Sequence, residues 1–180
     1  MGIIKIIEEK LGGALLMEPS VFFDNRGFFM ETYNTTDLKE LGVEDVFKQD
    51  NQSYSIKNVL RGLHFQKNPH PTSKLVRCIR GEIFDVVVDL RQESPTFKKW
   101  ESFVLSEENK RLLYVPIGFA HGFYVLSDGA VVSYKVSEIF YKECDAGVRW
   151  NDSDIGVGWP VSSPIISNKD ANLPFLKDII

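Results

Sequence analysis

The sequence predicts an all-β, antiparallel domain of closed or double-sheet type, with a few short helices. Three observations lead there. Short apolar and β-branched runs follow one another closely along the chain. Turn residues separate them, with Gly27, Gly81, Gly118 and Gly129 at the breaks. Helix signals are few.

Taken in order, the first run is GALLMEP, ended by Pro19. The turn DNRG leads into GFFMETYN. TTDLKELG then reads as a short helix, with Thr36 or Asp37 as its N-cap and Gly42 as its stop. KLVRCIRG, EIFDVVVDLR, KWESFVLS, RLLYVPIG, AHGFYVLSD and AVVSYKVSEIFY continue the strand series. The stretch after Ser167 reads as a short helix or loop. In EIFDVVVDL the alternation places Phe84, Val86, Val88 and Leu90 on one face and Ile83, Asp85, Val87 and Asp89 on the other. Two aspartates among aliphatics mark the second face as a partly polar lining or rim, where small-ligand sites form.

The 180 residues suit one domain, expected to span 1–180, with 43% hydrophobic and 26% charged residues. A net charge of −4 provides no electrostatic footprint for nucleic acid or an anionic membrane. No apolar run approaches the ~20 residues of a membrane span. The N-terminal stretch lacks the length and cleavage site of a signal peptide. Although the chain begins Met1-Gly2, Ile6 and Ile7 stand where a myristoylation signal needs Ser or Thr. Cys78 and Cys144 form no CxxC pair and read as reduced thiols of a cytoplasmic protein.

Chemistry has few carriers. His64 lies in VLRGLHFQ, His121 in PIGFAHGF, and His70 between two prolines as an exposed loop residue. Taken alone, His64 is as compatible with a structural hydrogen bond as with a base, and His121 reads as structural. A metal-binding double-sheet protein needs two histidines one residue apart, and the chain has no HxH pair, so no metal is expected. Phosphate loops, nucleotide fingerprints and nucleophile elbows are absent as well. What remains is an acid–base set: His64, Tyr134, and the cations Lys74 and Arg61. Such a set needs no cofactor when the substrate proton is already acidified, as beside a ketone. From spacing alone, Tyr134 is an ordinary strand aromatic.

Seven segments change that reading: FFDNRGFFMET, QDNQSYSIKNVLRGLHFQ, KLVRCIRGEIFDVVVDLRQESPTF, PIGFAHGFYVLSD, YKVSEIFY, GVRWNDSDIGVGWP and ISNKD. Together, and in this order from Glu18 to Asp170, they resemble the dTDP-4-dehydrorhamnose 3,5-epimerase family. The resemblance implies a cupin-like jelly roll, a dTDP-linked 4-keto-6-deoxy sugar as substrate, no cofactor, a homodimer, and a place in the making of dTDP-rhamnose for cell-surface polysaccharide. It implies that His64 is the base at C3 and C5, Asp170 its carboxylate partner, Tyr134 the acid on the opposite ring face, and Lys74 the cation beside the enolate oxygen. It further implies that Arg26 and Arg61 hold the diphosphate. Glu31, Gln49, Asp50, Asn51, His121, Asp145 and Lys169 match positions lining the substrate, and Phe140 falls where a tyrosine usually stacks on the base. Asp145 stands in place of the family's usual Glu, and Thr72 and Ser73 replace the more usual residues before Lys74.

Three points stay open at this level. Asp152, in the WND segment, reads as a turn cap but is the second candidate partner for His64. Arg61 and His64 have opposite parity and would face opposite sides of a regular strand, unless Gly62 marks a bulge. The competing functions are a 3-only or 5-only epimerase, a catalytically silent sugar-binding jelly roll, and a metal-dependent cupin.

Overall fold

The computed structural model describes residues 4–179. The ends of the expected 1–180 domain, including Met1 and Gly2, lie outside the described residues. Thirteen strands are present among the described residues. They are β1 (Ile4–Lys10), β2 (Ala14–Pro19), β3 (Val21–Asp24), β4 (Gly27–Met30), β5 (Gln49–Ile56), β6 (Leu60–Gln66) and β7 (Lys74–Arg80). The series continues with β8 (Glu82–Asp89), β9 (Trp100–Ser106), β10 (Leu112–Val115), β11 (Phe119–Val125), β12 (Gly129–Val136) and β13 (Asp145–Gly147). Helix α1 covers Thr35–Glu40 and α2 covers Asn168–Ala171, with one 3₁₀ turn at Leu176–Asp178.

The strands form a six-stranded sheet, β1-β2-β10-β7-β12-β5, and a five-stranded sheet, β13-β6-β11-β8-β9. β3 and β4 make a separate ribbon. Every strand pair is antiparallel, so the predicted double-sheet class is the one observed. Between the sheets lies the main core, which includes Leu16, Val76, Ile83, Val87, Leu113, Phe119 and Phe123.

Two further apolar layers cover the outer faces. Leu38 of α1 packs with Met17, Leu75 and Leu112 outside the six-stranded sheet. The C-terminal segment brings Ile155, Trp159 and Leu176 against Leu63, Val86 and Val88 outside the five-stranded one. β8 is therefore apolar on its outer face as well. Its inner face carries Asp85 and Asp89 beside Ile83 and Val87, as the alternation predicted. Asp89 closes the end of the sandwich by accepting from Arg91, Ser94 and Thr96.

The sequence reading passed over β1, β3, β5 and β13 and treated β6 only conditionally. β5 reads QDNQSYSI, an edge strand whose polar side chains carry no apolar alternation. The N-cap of α1 is Asn34, not Thr36 or Asp37; its side chain accepts from the backbone N–H groups of both. AVVSYKVSEIFY leaves the sheet after Val136, so Phe140 sits on a loop.

The parity problem at His64 is resolved by a bulge. On β11, His121 pairs with His64 and Phe123 with Arg61, so two steps on β11 match three on β6. The extra residue turns Arg61 and His64 to the same inner face as Phe123 and His121. Gly62 permits this in two ways. Its φ is +134°, and a Cβ there would stand 2.6 Å from Gly122 Cα. Gly62→Ala is expected to destabilise the protein by about 1–3 kcal/mol and to disturb the cavity behind it. Urea unfolding checks this, and unchanged stability would contradict the close approach.

Candidate functional site

A cleft of about 240 Å³ opens between the two sheets at one end of the sandwich. Its walls come from facing strands. β6 supplies His64, Phe65 and Gln66, and β7 supplies Lys74. β5 and β12 supply Gln49, Asn51, Tyr134 and Val136. Thr72, Glu138, Phe140, Asp145 and Lys169 complete the lining. His64 and Tyr134 therefore enter from opposite sheets.

Asp170 stands behind His64. It belongs to α2, whose N-cap Ser167 accepts from the Asp170 N–H. One carboxylate oxygen lies 2.7 Å from His64 Nε2 and the other accepts from Gly62 N–H at 3.2 Å. A carboxylate only accepts, so Nε2 carries a proton, which in the neutral ring leaves the lone pair on Nδ1. Burial opposes the charge on Asp170. The hydrogen bond and charge of His64, with the Gly62 and Ser167 contacts, outweigh it and hold the carboxyl below its ordinary range.

Lys74 donates to His64 C=O at 3.1 Å and lies 3.5 Å from Nδ1 of His121. Burial pulls its pKa down to about 8; Asp85 and Asp145 resist, and Lys169 adds to the fall. His121 lies beneath Lys74 rather than in the cavity wall, with Nε2 at 2.9 and 3.0 Å from the two oxygens of Asp85. Burial lowers its pKa, against Asp85. Burial likewise raises the pKa of Tyr134, with Arg61 and Lys169 partly offsetting it. The tyrosine thus keeps its proton at neutral pH. Arg61 reaches across the rim to Ser55 Oγ and the Tyr54 carbonyl of β5.

Phe140 is 58% exposed, and its loop is held from below. Gln49 accepts from its N–H, and Gln66 accepts from Tyr141 N–H while donating to the carbonyls of His70 and Ile139. His70 stacks on Tyr141 at 3.6 Å, so it is a packed residue rather than a freely exposed one. Asp145 and Lys169 form an ion pair across the cleft mouth. Gln66 and Glu138 are lining residues that the sequence reading missed. Gln66 shares the strand parity of His64, which was a usable signal.

Other expected positions lie elsewhere. Asp50 pairs with Lys135 on the outer face of the sheet, because β5 alternates and its neighbour Asn51 points inward. Arg26 sits at the tip of the β3–β4 ribbon, bonded to Asp24. Glu31 accepts from Asn34 and does not line the cleft. Asp152 is buried away from His64 and accepts from the N–H groups of Asp154, Ile155 and Leu176, which makes it a turn cap. Cys78 and Cys144 are free and buried. Among the described residues, no three His, Cys, Asp or Glu side chains gather as metal ligands, and no helix is long and apolar enough to cross a membrane.

A cleft lined by a histidine–carboxylate pair, a buried lysine and an opposed tyrosine suits proton transfer at carbon. Comparison with known proteins points the same way. The family model described as dTDP-4-dehydrorhamnose 3,5-epimerase matches residues 8–178. This chain belongs to that epimerase family. A relative from Methanothermobacter thermautotrophicus, named dTDP-4-dehydrorhamnose 3,5-epimerase, is 50% identical over 99% of this chain and 97% of its own. The crystal structure of the dTDP-4-dehydrorhamnose 3,5-epimerase from Bacillus anthracis, with TDP and PPi bound, shares 51% identity. It covers 96% of this chain and 99% of its own, with a TM-score of 0.94. The 3,5-epimerase from Legionella pneumophila, in complex with dTDP-4-keto-L-rhamnose, is 41% identical over 98% of this chain and 95% of its own, also with a TM-score of 0.94. The double-sheet sandwich of this chain is the fold of these epimerases.

Proposed function

We propose that the chain is a dTDP-4-dehydrorhamnose 3,5-epimerase, converting dTDP-4-dehydro-6-deoxy-D-glucose to dTDP-4-dehydro-L-rhamnose in the formation of dTDP-rhamnose. The observation that carries this reading is the placement of His64 and Tyr134 on facing sheets across one cleft. Inversion at carbon needs proton removal from one side and proton return from the other. Hydrogens at C3 and C5 flank the C4 ketone and are acidified by it. His64 Nδ1 takes the proton while Asp170 stabilises the imidazolium that forms. The Lys74 ammonium stabilises the enolate oxygen in a site where water screens little. Tyr134, its phenol kept protonated by burial, returns a proton to the far face.

Phe140 offers an exposed ring for the thymine, and Arg61 and Lys169 supply positive charge for the diphosphate. The ligands named for the Bacillus anthracis and Legionella pneumophila structures support a dTDP-linked substrate.

Arg26 bears on assembly. The ribbon that carries Arg26 exposes Phe22, Phe23, Phe28 and Phe29, with Phe23 at 74% and Phe29 at 65%. By register Phe22 and Phe29 share one face of the ribbon and Phe23 and Phe28 the other, so both of its faces are apolar and suited to a partner. A homodimer covers them and allows the ribbon of one copy to bring Arg26 to the cleft of the other. The free, buried cysteines suit a cytoplasmic enzyme, and the rhamnose formed would serve cell-surface polysaccharide.

Three outcomes are expected. Sedimentation of the wild-type protein should give a dimer that Phe23→Ser with Phe29→Ser dissociates; a monomeric wild type at micromolar concentration would contradict the assembly. His64→Ala should lose ~10²–10⁴-fold of solvent exchange at both carbons. Tyr134→Phe should keep exchange but lose inversion, because His64 returns a solvent proton to the face it came from. Proton NMR of one sample in D2O reads both quantities. Equal losses of exchange and inversion in Tyr134→Phe would assign that tyrosine to packing instead.

A further inference from the structure

Asp85 takes no part in the acid–base set above, yet it is a carboxylate with no exposed surface, set behind His121 and Lys74. Both of its oxygens are directed at one atom, Nε2 of His121, which is itself 7% exposed. The carboxylate accepts, so His121 holds its proton on Nε2 and presents the Nδ1 lone pair to Lys74. An ammonium has three N–H directions. One goes to His64 C=O and one towards His121 Nδ1, which leaves the third for the cleft that Lys74 lines. We propose that Asp85 is a positioning residue: by holding the tautomer of His121 it aims the Lys74 ammonium at the C4 oxygen of the substrate and keeps it charged. The inference rests on the reading of Lys74 as the cation beside the enolate oxygen.

The charges around Lys74 single out Asp85. Facing it are Asp85 on β8, His121 on β11, His64 on β6, Asp145 on β13, Tyr134 on β12 and Lys169 in α2. Asp145 and Lys169 pair with each other, so their fields largely cancel. Asp170 is engaged with His64, and Glu138 with Lys48. Asp85 has no cation in direct contact, and its pull on Lys74 is the largest that opposes burial. A neutral His121 between them leaves a row of one negative and one positive charge. Without the carboxylate, the same row would hold a lone buried cation, and the ammonium would release its proton more readily.

Asp85→Asn is the direct test, because the amide oxygen still accepts from His121 Nε2–H while the charge is removed. In wild type, kcat/KM should decline as pH rises through about 8, where Lys74 loses its proton. In Asp85→Asn, that alkaline limb should move down by roughly one pH unit or more, with the deficit growing above neutrality. A merely structural role predicts an equal loss at every pH. Lys74→Met separates the two layers of the argument. If it retains exchange at C3 and C5, the role of Lys74 fails; if it loses exchange while the limb of Asp85→Asn coincides with wild type, the role of Asp85 is overturned. Should Asp85→Asn not fold, nitrogen NMR of wild-type His121 still decides. The Nε2–H tautomer is expected at neutral pH, and an Nδ1–H tautomer overturns the proposal.

Discussion

The contact between Asp170 and the β6 strand governs the rest of the site. It joins residues more than a hundred positions apart in the chain, tying a four-residue helix near the C-terminus to both Gly62 and His64. A short helix cannot place a carboxylate unaided. Asp170 is held by the Ser167 cap behind it and by the C-terminal segment laid across the five-stranded sheet, where Leu176 is fully buried among Leu63, Val86 and Val148. Packing on the outer face of that sheet therefore orients His64 on its inner face. The bulge at Gly62 belongs to the same arrangement, since it exposes the N–H that Asp170 accepts and turns His64 inward.

The two walls of the cleft are electrically different. On the β6 side, His64 is hydrogen-bonded to the carboxylate of Asp170, which is held ionised. Facing it, Tyr134 has only cations in its field, Arg61 and Lys169, against a burial that favours the neutral phenol. One wall is suited to accept protons and the other to donate them. Lys74 lies between, charged at neutral pH although buried, which is the condition for stabilising a negative oxygen without reorganising solvent. Residues at the cleft mouth, Asp145 with Lys169 and the Gln49–Phe140 contact, hold the parts of the lining farthest from this chemistry.

Much of this was legible in the sequence where period and residue type agreed. β8 showed both its faces by alternation, because a strand buried on two sides with aspartates on one leaves little ambiguity. The roles given to His64 and Tyr134 came only through resemblance, since on their own they look like any strand histidine and tyrosine. What stayed hidden has physical causes. β5 is polar along an edge, so it gave no apolar signal, and with it went the parity that separates Asn51 in the cleft from Asp50 outside it. The β6 bulge needs a partner strand to be seen, since the register against His121 and Phe123 defines it. Asn34 capped α1 one position before the threonines because its side chain reaches two N–H groups there. Arg26 sits at the tip of a ribbon away from the cleft, a placement that no local pattern encodes.

The central claim is that one base and one opposed acid exchange carbon-bound hydrogens with solvent through an enolate, using the groups in this cleft. Following wild-type turnover of dTDP-4-dehydro-6-deoxy-D-glucose in D2O by proton NMR tests it most directly. The account predicts a product with inverted configuration and solvent deuterium at both C3 and C5. Inverted product that keeps its original hydrogens at those carbons would contradict it.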